Sequence, residues 1–410
     1  MGEELEERPL RPTKALYGTG LTGTFSDNIS HRYISFLAVT IGLNVSQMSY
    51  LRAAQSLSSN LLQLLWGRLV DRYGKKVFIS LGRMMNGMFL CALIFIKGPI
   101  WFMSLVIAAS IAISLVMPAW SSLLGDYTSS TTRGATIGRI NSLSQIGGLT
   151  AMLFAFTVSL GQVGETTPES YTILLAMAAA MSFVSGALSF LTNENPPAPE
   201  EEKLEMTKVF QDPRLRRYLL VNAVYGISMA FSWPLMPFII VDKLALKIWQ
   251  IAAYSVASSA SSLISQRYLG NLMDRIGRRP VVIFSRVSMA VAPLVYAFAT
   301  SWIHIVLADV ILGVSMGAWM SSGPTYIIDM APTELRATYL AANTAFFGVS
   351  TFFGNLAGGY VTDNFLASGG GFQGIHTGLL LSAAMRFLTG LLYVTIFETY
   401  TPENQGKAEY

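Results

Sequence analysis

Twelve apolar stretches, each near the ~20 residues that a helix needs to cross hydrocarbon, leave this chain few ways to fold. They run at 15–41, 47–69, 77–96, 100–122, 136–160, 170–191, 217–241, 248–270, 281–299, 302–323, 338–362 and 375–397. Inside lipid every backbone N–H and C=O must be paired within the protein, so only helices and closed barrels span. Barrels are made of short alternating strands; these stretches are long and continuous. The expectation is an all-α membrane protein with twelve transmembrane helices. Of the 410 residues 52% are hydrophobic and only 13% are charged, against roughly 25% charged in a soluble domain, so the bulk of the chain is expected to sit in lipid.

Several function classes drop out on composition. Residues 1–14 are polar and mixed in charge, without the apolar core of a signal peptide, so the first apolar segment is expected to act as its own insertion signal. The single cysteine, Cys91, excludes an intramolecular disulfide and a thiolate metal cluster. No phosphate-binding glycine loop, zinc-ligand spacing, nucleophile elbow or Cys/His constellation occurs. No enzyme chemistry, cofactor or metal is therefore expected. No basic run with interleaved aromatics points to nucleic acid.

Charge placement sets the topology. The even-numbered turns and the ends carry Arg8, Arg11, Lys14, Arg68, Arg72, Lys75, Lys76, Arg133, Arg275, Arg278, Arg279 and Arg336, among others; the odd-numbered turns carry Lys97, Lys243 and Lys247. By the positive-inside rule both termini face the cytoplasm, in a multi-pass protein expected in the plasma membrane. A polar stretch at 193–214, with Pro196, Pro197, Pro199 and Glu200 to Glu202, divides the segments six and six. The expected organisation is a tail at 1–14, one bundle at 15–192, a cytoplasmic linker at 193–214, a second bundle at 215–397 and a tail at 398–410.

The halves are copies. Gly67-Arg-Leu-Val-Asp-Arg-Tyr-Gly-Lys-Lys76 recurs as Gly270-Asn-Leu-Met-Asp-Arg-Ile-Gly-Arg-Arg279, an offset of 270 − 67 = 203. Adding 203 also carries Arg83 to Arg286, Asp126 to Asp329 and Arg133 to Arg336. Parallel six-helix repeats are a transporter arrangement, with the solute site between them near mid-membrane.

On these residues the chain resembles the major facilitator superfamily. The two decapeptides resemble its signature between helices 2 and 3 and the copy between helices 8 and 9. The resemblance covers about residues 15–397 and implies two pseudo-symmetric bundles working by alternating access. It further implies a gating set at the charged ends: Gly67, Asp71, Arg72, Gly74, Lys75, Asp126 and Arg133, with Gly270, Asp274, Arg275, Gly277, Arg278, Asp329 and Arg336. In that set Gly67 and Gly270 allow close helix approach. Asp71 and Asp274 sit at helix N-termini of the opposite half, where an acid is favourable. Lys75–Asp126 and Arg278–Asp329 extend the network. The plain alternative is that these charges are solvated anchors. The glycine–proline arrangement and the segment-four arginine typical of the family's drug antiporters are missing, as are the sugar-porter signatures near the linker.

Candidate solute and proton residues lie on polar faces. Asp27 stands midway along segment one, where an ionisable group is a functional hypothesis by default. Asp27 and His31 share a face; Asn28 and Arg32 share the next. Asp27 either loads and releases a proton, with His31 or Arg32 setting its poise, or is a static partner of one of them. Asn141 and Gln145 on segment five, Tyr225 and Trp233 on segment seven, and Asn343 and Phe347 on segment eleven are expected at the cavity. Arg52 and Asp363 form a candidate outer latch, unless Arg52 snorkels. Arg386, in segment twelve, either binds an anion or pairs with an acid such as Asp309.

The expected function is secondary transport of a small organic solute by a monomer in lipid, with the proton as coupling ion. Trp233, Met229 and Phe347, with few fixed charges, lean it toward efflux of an amphiphilic compound. Proton-coupled uptake of an organic anion is the alternative, favoured if Arg386 or Arg32 binds a carboxylate. A receptor or scaffold that has lost transport is the alternative from another class.

Overall fold

The computed structural model describes residues 10–96, 98–128, 133–161, 166–195, 210–332, 335–366 and 372–399. Among them there is no strand. The helices are α1 (Lys14–Thr40), α2 (Val45–Tyr73), α3 (Lys75–Leu93), α4 (Pro99–Ser114), α5 (Val116–Asp126), α6 (Arg133–Ser159) and α7 (Thr172–Phe190). They continue as α8 (Pro213–Ala230), α9 (Met236–Phe238), α10 (Ile248–Ile276), α11 (Arg278–Ser288), α12 (Val291–Phe298), α13 (Trp302–Met330), α14 (Arg336–Val361) and α15 (Gln373–Leu391). With α4–α5, α8–α9 and α11–α12 each read as one interrupted span, the described residues form twelve spans, one per apolar stretch. Seven are long and apolar enough to cross a membrane by length and composition. The other five (α1, α2, α8–α9, α10 and α14) are those with polar residues along their length.

Prolines explain two of the interruptions. A helical carbonyl accepts from the N–H four residues on, and proline has none. Pro234 leaves Ala230 without that donor; the Trp233 N–H moves to the Ala230 carbonyl at 3.1 Å, and α8 ends there. Pro293 has no N–H for Met289, where α11 gives way to α12.

The charged decapeptides are not loops for most of their length. α2 runs on through Tyr73 and α10 through Ile276. Only Gly74 and Gly277 break the chain, at φ +98° and +97°, a region that a Cβ strains and glycine tolerates.

Packing divides the chain into two compact units. The first comprises Met1–Ile34, Leu61–Ala155 and Thr167–Glu201; the second comprises Ser35–Asn60, Phe156–Thr166 and Glu202–Tyr410. In the first, Leu16, Val70, Ile79, Ala119, Leu123 and Ile140 form a buried core. In the second, Leu215, Tyr218, Tyr225, Val282, Tyr326, Tyr339 and Tyr393 do so. Lipid tails are as apolar as leucine, so close packing of small residues, rather than burial from water, drives helix association here. On α14, Gly354 and Gly358 lie against the backbone carbonyls of Ile227 and Phe231 on and just after α8. The α10 serines are packing residues: Ser261 and Ser265 donate to the Val310 and Val314 carbonyls of α13 at 3.1 and 3.3 Å. Within the second unit the first half of α2 also lies on α14, with Ser56 Oγ accepting from Asn355 Nδ2 at 3.1 Å.

Candidate functional site

At the charged end of the first unit, α3 starts immediately after Gly74, so its first N–H groups have no helical partner. The Glu194 carboxylate accepts from the N–H groups of Lys75 (2.7 Å) and Lys76 (2.9 Å). An anion is favoured there by the helix dipole as well. The Lys75 ammonium meets Asp126 Oδ1 at 2.5 Å, and Asp126 Oδ2 accepts from the Asn195 N–H at 3.1 Å. Beside them the Tyr127 hydroxyl donates to the Asn193 carbonyl at 2.7 Å; burial pushes this phenol up, keeping it a neutral donor.

The second unit repeats the arrangement. The Glu398 carboxylate accepts from the N–H groups of Arg278 (2.9 Å) and Arg279 (3.1 Å) at the start of α11. The Arg278 guanidinium donates to Asp329 Oδ2 at 3.0 Å and to Asp274 one turn earlier. Glu194 and Glu398 are missed by the sequence reading because they are 398 − 194 = 204 residues apart, one position out of the 203-residue register.

Other expected gating residues are placed as follows. The Arg72 guanidinium lies 5.4 Å from the Tyr73 ring centre, and Arg72, Arg275 and Arg336 are exposed. The side chains of Asp71 and Arg133 lie outside the described residues. Close helix approach is not seen at Gly67: among the described residues an added Cβ there meets nothing within 4 Å, and at Gly270 it meets only Ser321, at 3.7 Å. Asp363 accepts a hydrogen bond from Ser46 on α2, the helix that also carries Arg52.

Mid-way along α1, Asp27 is held by Arg83 of α3. The guanidinium donates to both carboxylate oxygens, at 2.6 and 2.9 Å, and to the Gly23 carbonyl at 3.3 Å. Gly23 makes room for it, since an added Cβ would lie 2.8 Å from Arg83 Nη2. The Arg83 side chain is 9% exposed and that of Asp27 35%, so the pair is closed on the cation's side and open on the acid's. Arg83 entered the sequence argument only as a repeat position. Asn28 donates to the Thr24 carbonyl at 2.9 Å and packs on Gly148 of α6. His31 is exposed and Arg32 half-buried; Asn141 and Gln145 are exposed on α6.

Two arginines of the second unit are only 2% exposed and are held in opposite ways. Arg386 on α15 donates to the Met289 carbonyl at 3.2 Å, the Met229 carbonyl at 2.5 Å and Ser232 Oγ at 2.5 Å. Met289 is the carbonyl that Pro293 deprives of a donor, and Met229 the one from which the Trp233 N–H is diverted. Arg386 thus mends two helix breaks; among the described residues it pairs with no acid. Asp309 instead accepts from the Tyr296 hydroxyl at 2.7 Å.

Arg286 on α11 stacks on aromatic rings, with Trp319 at 3.4 Å, Tyr225 at 4.6 Å and Tyr393 at 5.5 Å from its guanidinium carbon. Asn222 Oδ1 accepts from it at 3.2 Å, and the Tyr218, Tyr225 and Tyr393 hydroxyls are hydrogen-bonding neighbours as well. Asn222 donates to Asn343 Oδ1 at 2.7 Å, and the Tyr225 hydroxyl donates to the Arg286 carbonyl at 3.0 Å. The structure therefore gathers Tyr225, Asn343 and Phe347 around Arg286. Trp233 stays apart, in the break after α8.

Two repeats of six spans, a carboxylate–guanidinium pair in one and a buried cation in the other, suit binding and conformational change; among the described residues no cluster could hold a metal. A cis,cis-muconate transport protein of Acinetobacter baylyi is 23% identical over 349 residues, 80% of this chain and 79% of its own. The multi-drug resistance efflux pump PmrA of Streptococcus pneumoniae is 21% identical over 364 residues, 86% of this chain and 89% of its own. Of solved structures, the nucleoside transporter NupG superposes with a TM-score of 0.71 at 14% identity, over 95% of this chain and all of its own. A D-xylose–proton symporter superposes at 0.69, also at 14% identity, over 94% and 97%. Residues 17–220 and 218–409 each match the Major Facilitator Superfamily; with the repeat, the fold and these relatives, the chain belongs to that family of non-enzymatic, multi-pass membrane transporters of small molecules.

Proposed function

We propose that the chain moves a small organic solute by alternating access and couples that movement to protons at the Asp27–Arg83 pair. The observation that carries this is the asymmetry of the pair. Arg83 is buried and holds both oxygens of Asp27, while the carboxylate is open on one side. A proton arriving from that side competes with the guanidinium for the carboxylate. Protonation cancels the charge pairing and loosens the tie between α1 and α3; release of the proton restores it. The bundles at 15–192 and 215–397 are the rocking bodies in this reading. The charged ends, with the termini, face the cytoplasm and latch there. The cis,cis-muconate transport protein supports an organic-anion solute, and the D-xylose–proton symporter is a proton-coupled example of the same fold. Efflux of an amphiphilic compound is the second reading, supported by half-buried Met229 and Trp233 and by the efflux pump's match along most of the chain.

The test is flux in proteoliposomes of cis,cis-muconate, D-xylose, uridine and tetracycline, with a pH gradient of either sign. One solute should move faster under one sign of gradient. Asp27→Asn should lose the gradient dependence and keep solute exchange at zero gradient. Full gradient-driven flux through Asp27→Asn would remove Asp27 from coupling.

A further inference from the structure

We infer that Arg286 anchors the carboxylate of an organic anion in the solute site; this rests on the reading of the chain as a solute transporter and names the class of its solute. Four observations converge on that side chain. First, it is a buried guanidinium with no carboxylate partner among the described residues. Rings stabilise a cation through their faces but do not neutralise it, and a buried cation without an anion is costly. Second, the repeat shows what such a position accepts. At the same place in the first half, Arg83 holds Asp27 through two bonds. At Asp27's place in the second half, 27 + 203 = 230, the chain has Ala230. The scaffold supplies an acid to one arginine and not to the other. Third, Arg286 is not a pin of the Arg386 kind. Arg386 donates to two backbone carbonyls and a hydroxyl, whereas the partners of Arg286 are neutral side chains, the Asn222 amide oxygen and the Tyr218, Tyr225 and Tyr393 hydroxyls.

Fourth, the surroundings are graded. Asn222, Tyr225 and Tyr393 are buried beneath the guanidinium, whereas Trp319, Asn343 and Phe347 are only half-buried. Arg286 is itself 2% exposed under the Trp319 ring, so a carboxylate entering on that second side displaces Trp319 to reach the planar guanidinium fork, which matches two oxygens at once. The Trp319 and Phe347 faces suit a flat unsaturated or aromatic body attached to it.

The experiment uses the purified full-length chain in detergent, with benzoate and cis,cis-muconate as carboxylate probes and benzamide as the neutral control. Binding is followed by calorimetry and thermal shift, with no gradient. The wild type should bind the carboxylates and not benzamide. Arg286→Gln should weaken carboxylate binding by about 100-fold and Arg286→Lys by about 10-fold, the range expected for charge-assisted bonds. Asn222→Asp is the decisive variant, because it changes one atom and sets a carboxylate 3.2 Å from the guanidinium. The Asn343 amide can turn to donate to it. This variant should melt at or above the wild-type temperature and still lose carboxylate binding at least 10-fold. Wild-type affinity in Arg286→Gln or Asn222→Asp would overturn the inference, as would a wild type that binds neither carboxylate at millimolar concentration. The two readings fail separately. Carboxylate binding through Arg286 with flux blind to the pH gradient removes proton coupling alone. Gradient-driven flux of a neutral solute without carboxylate binding removes the anion anchor alone.

Discussion

Replacing Arg386 by methionine tests whether one side chain mends two proline breaks. Methionine keeps the length and apolar stem of arginine and removes every donor. The Met289 and Met229 carbonyls, met by the guanidinium at 3.2 and 2.5 Å, would then face no donor in a closed interior. Each buried acceptor left unsatisfied costs about 1–3 kcal/mol, so the pair costs roughly 2–6 kcal/mol. Removing a desolvated cation returns part of that, and the net expectation is a loss of about 2–4 kcal/mol. The sharper measurement is a double-mutant cycle with Pro293→Ala. Alanine at 293 supplies the N–H that Met289 lacks, so Arg386→Met should leave one orphaned carbonyl in that background instead of two. The interaction energy should be about 1–3 kcal/mol, well outside the additivity expected of independent sites. Equilibrium unfolding of the four proteins in mixed micelles gives the cycle. An equal cost of Arg386→Met in both backgrounds would refute the carbonyl account and leave Arg386 as a packed chain only.

Further outcomes follow from the same geometry. Glu194→Gln and Glu398→Gln each remove the anion that caps α3 or α11 and should cost about 1 kcal/mol, with salt dependence reduced relative to the wild type; unchanged melting would mean that water serves those N–H groups equally well. Gly277→Ala should destabilise by about 1–3 kcal/mol for its positive-φ, extended-ψ backbone, and more than Gly74→Ala. The added Cβ would lie 2.7 Å from a Glu398 oxygen, against 3.1 Å from Glu194 at Gly74; comparison of melting temperatures decides the order. Gly358→Val sets a branched side chain against the Phe231 carbonyl, and backbone cannot turn aside as a side chain can. Yield of folded, monodisperse protein should collapse, while Gly67→Val, facing open space among the described residues, should be tolerated.

Much of the architecture was legible because membrane helices are written in long runs. Twelve apolar stretches became twelve spans, and two of the interruptions fell where Pro234 and Pro293 remove a donor. The repeat was legible through charge: Lys75 meets Asp126 in one half and Arg278 meets Asp329 in the other. The spans read from hydropathy stop at 69 and 270, where charge outweighs apolarity, although helical hydrogen bonding continues to Tyr73 and Ile276, just before Gly74 and Gly277.

The site was less legible. Asp27 stood out because an acid in mid-span is rare, and its neighbours His31 and Arg32 were natural partners by helical spacing. The partner seen is Arg83, 56 residues away, since α3 lies on the face of α1 that Gly23 leaves open. From sequence, Arg386 is either an anion site or the partner of an acid such as Asp309; packing sets it on two carbonyls and a hydroxyl, while Arg286, a repeat position in the sequence, is the arginine packed on rings. By itself the sequence determined the membrane class, the spans, the duplication and the charged ends, all of which follow from local hydropathy, proline and periodic charge. Which cation meets an acid, which meets backbone and which meets aromatic rings was decided by tertiary structure alone, because that depends on which helix faces are brought together.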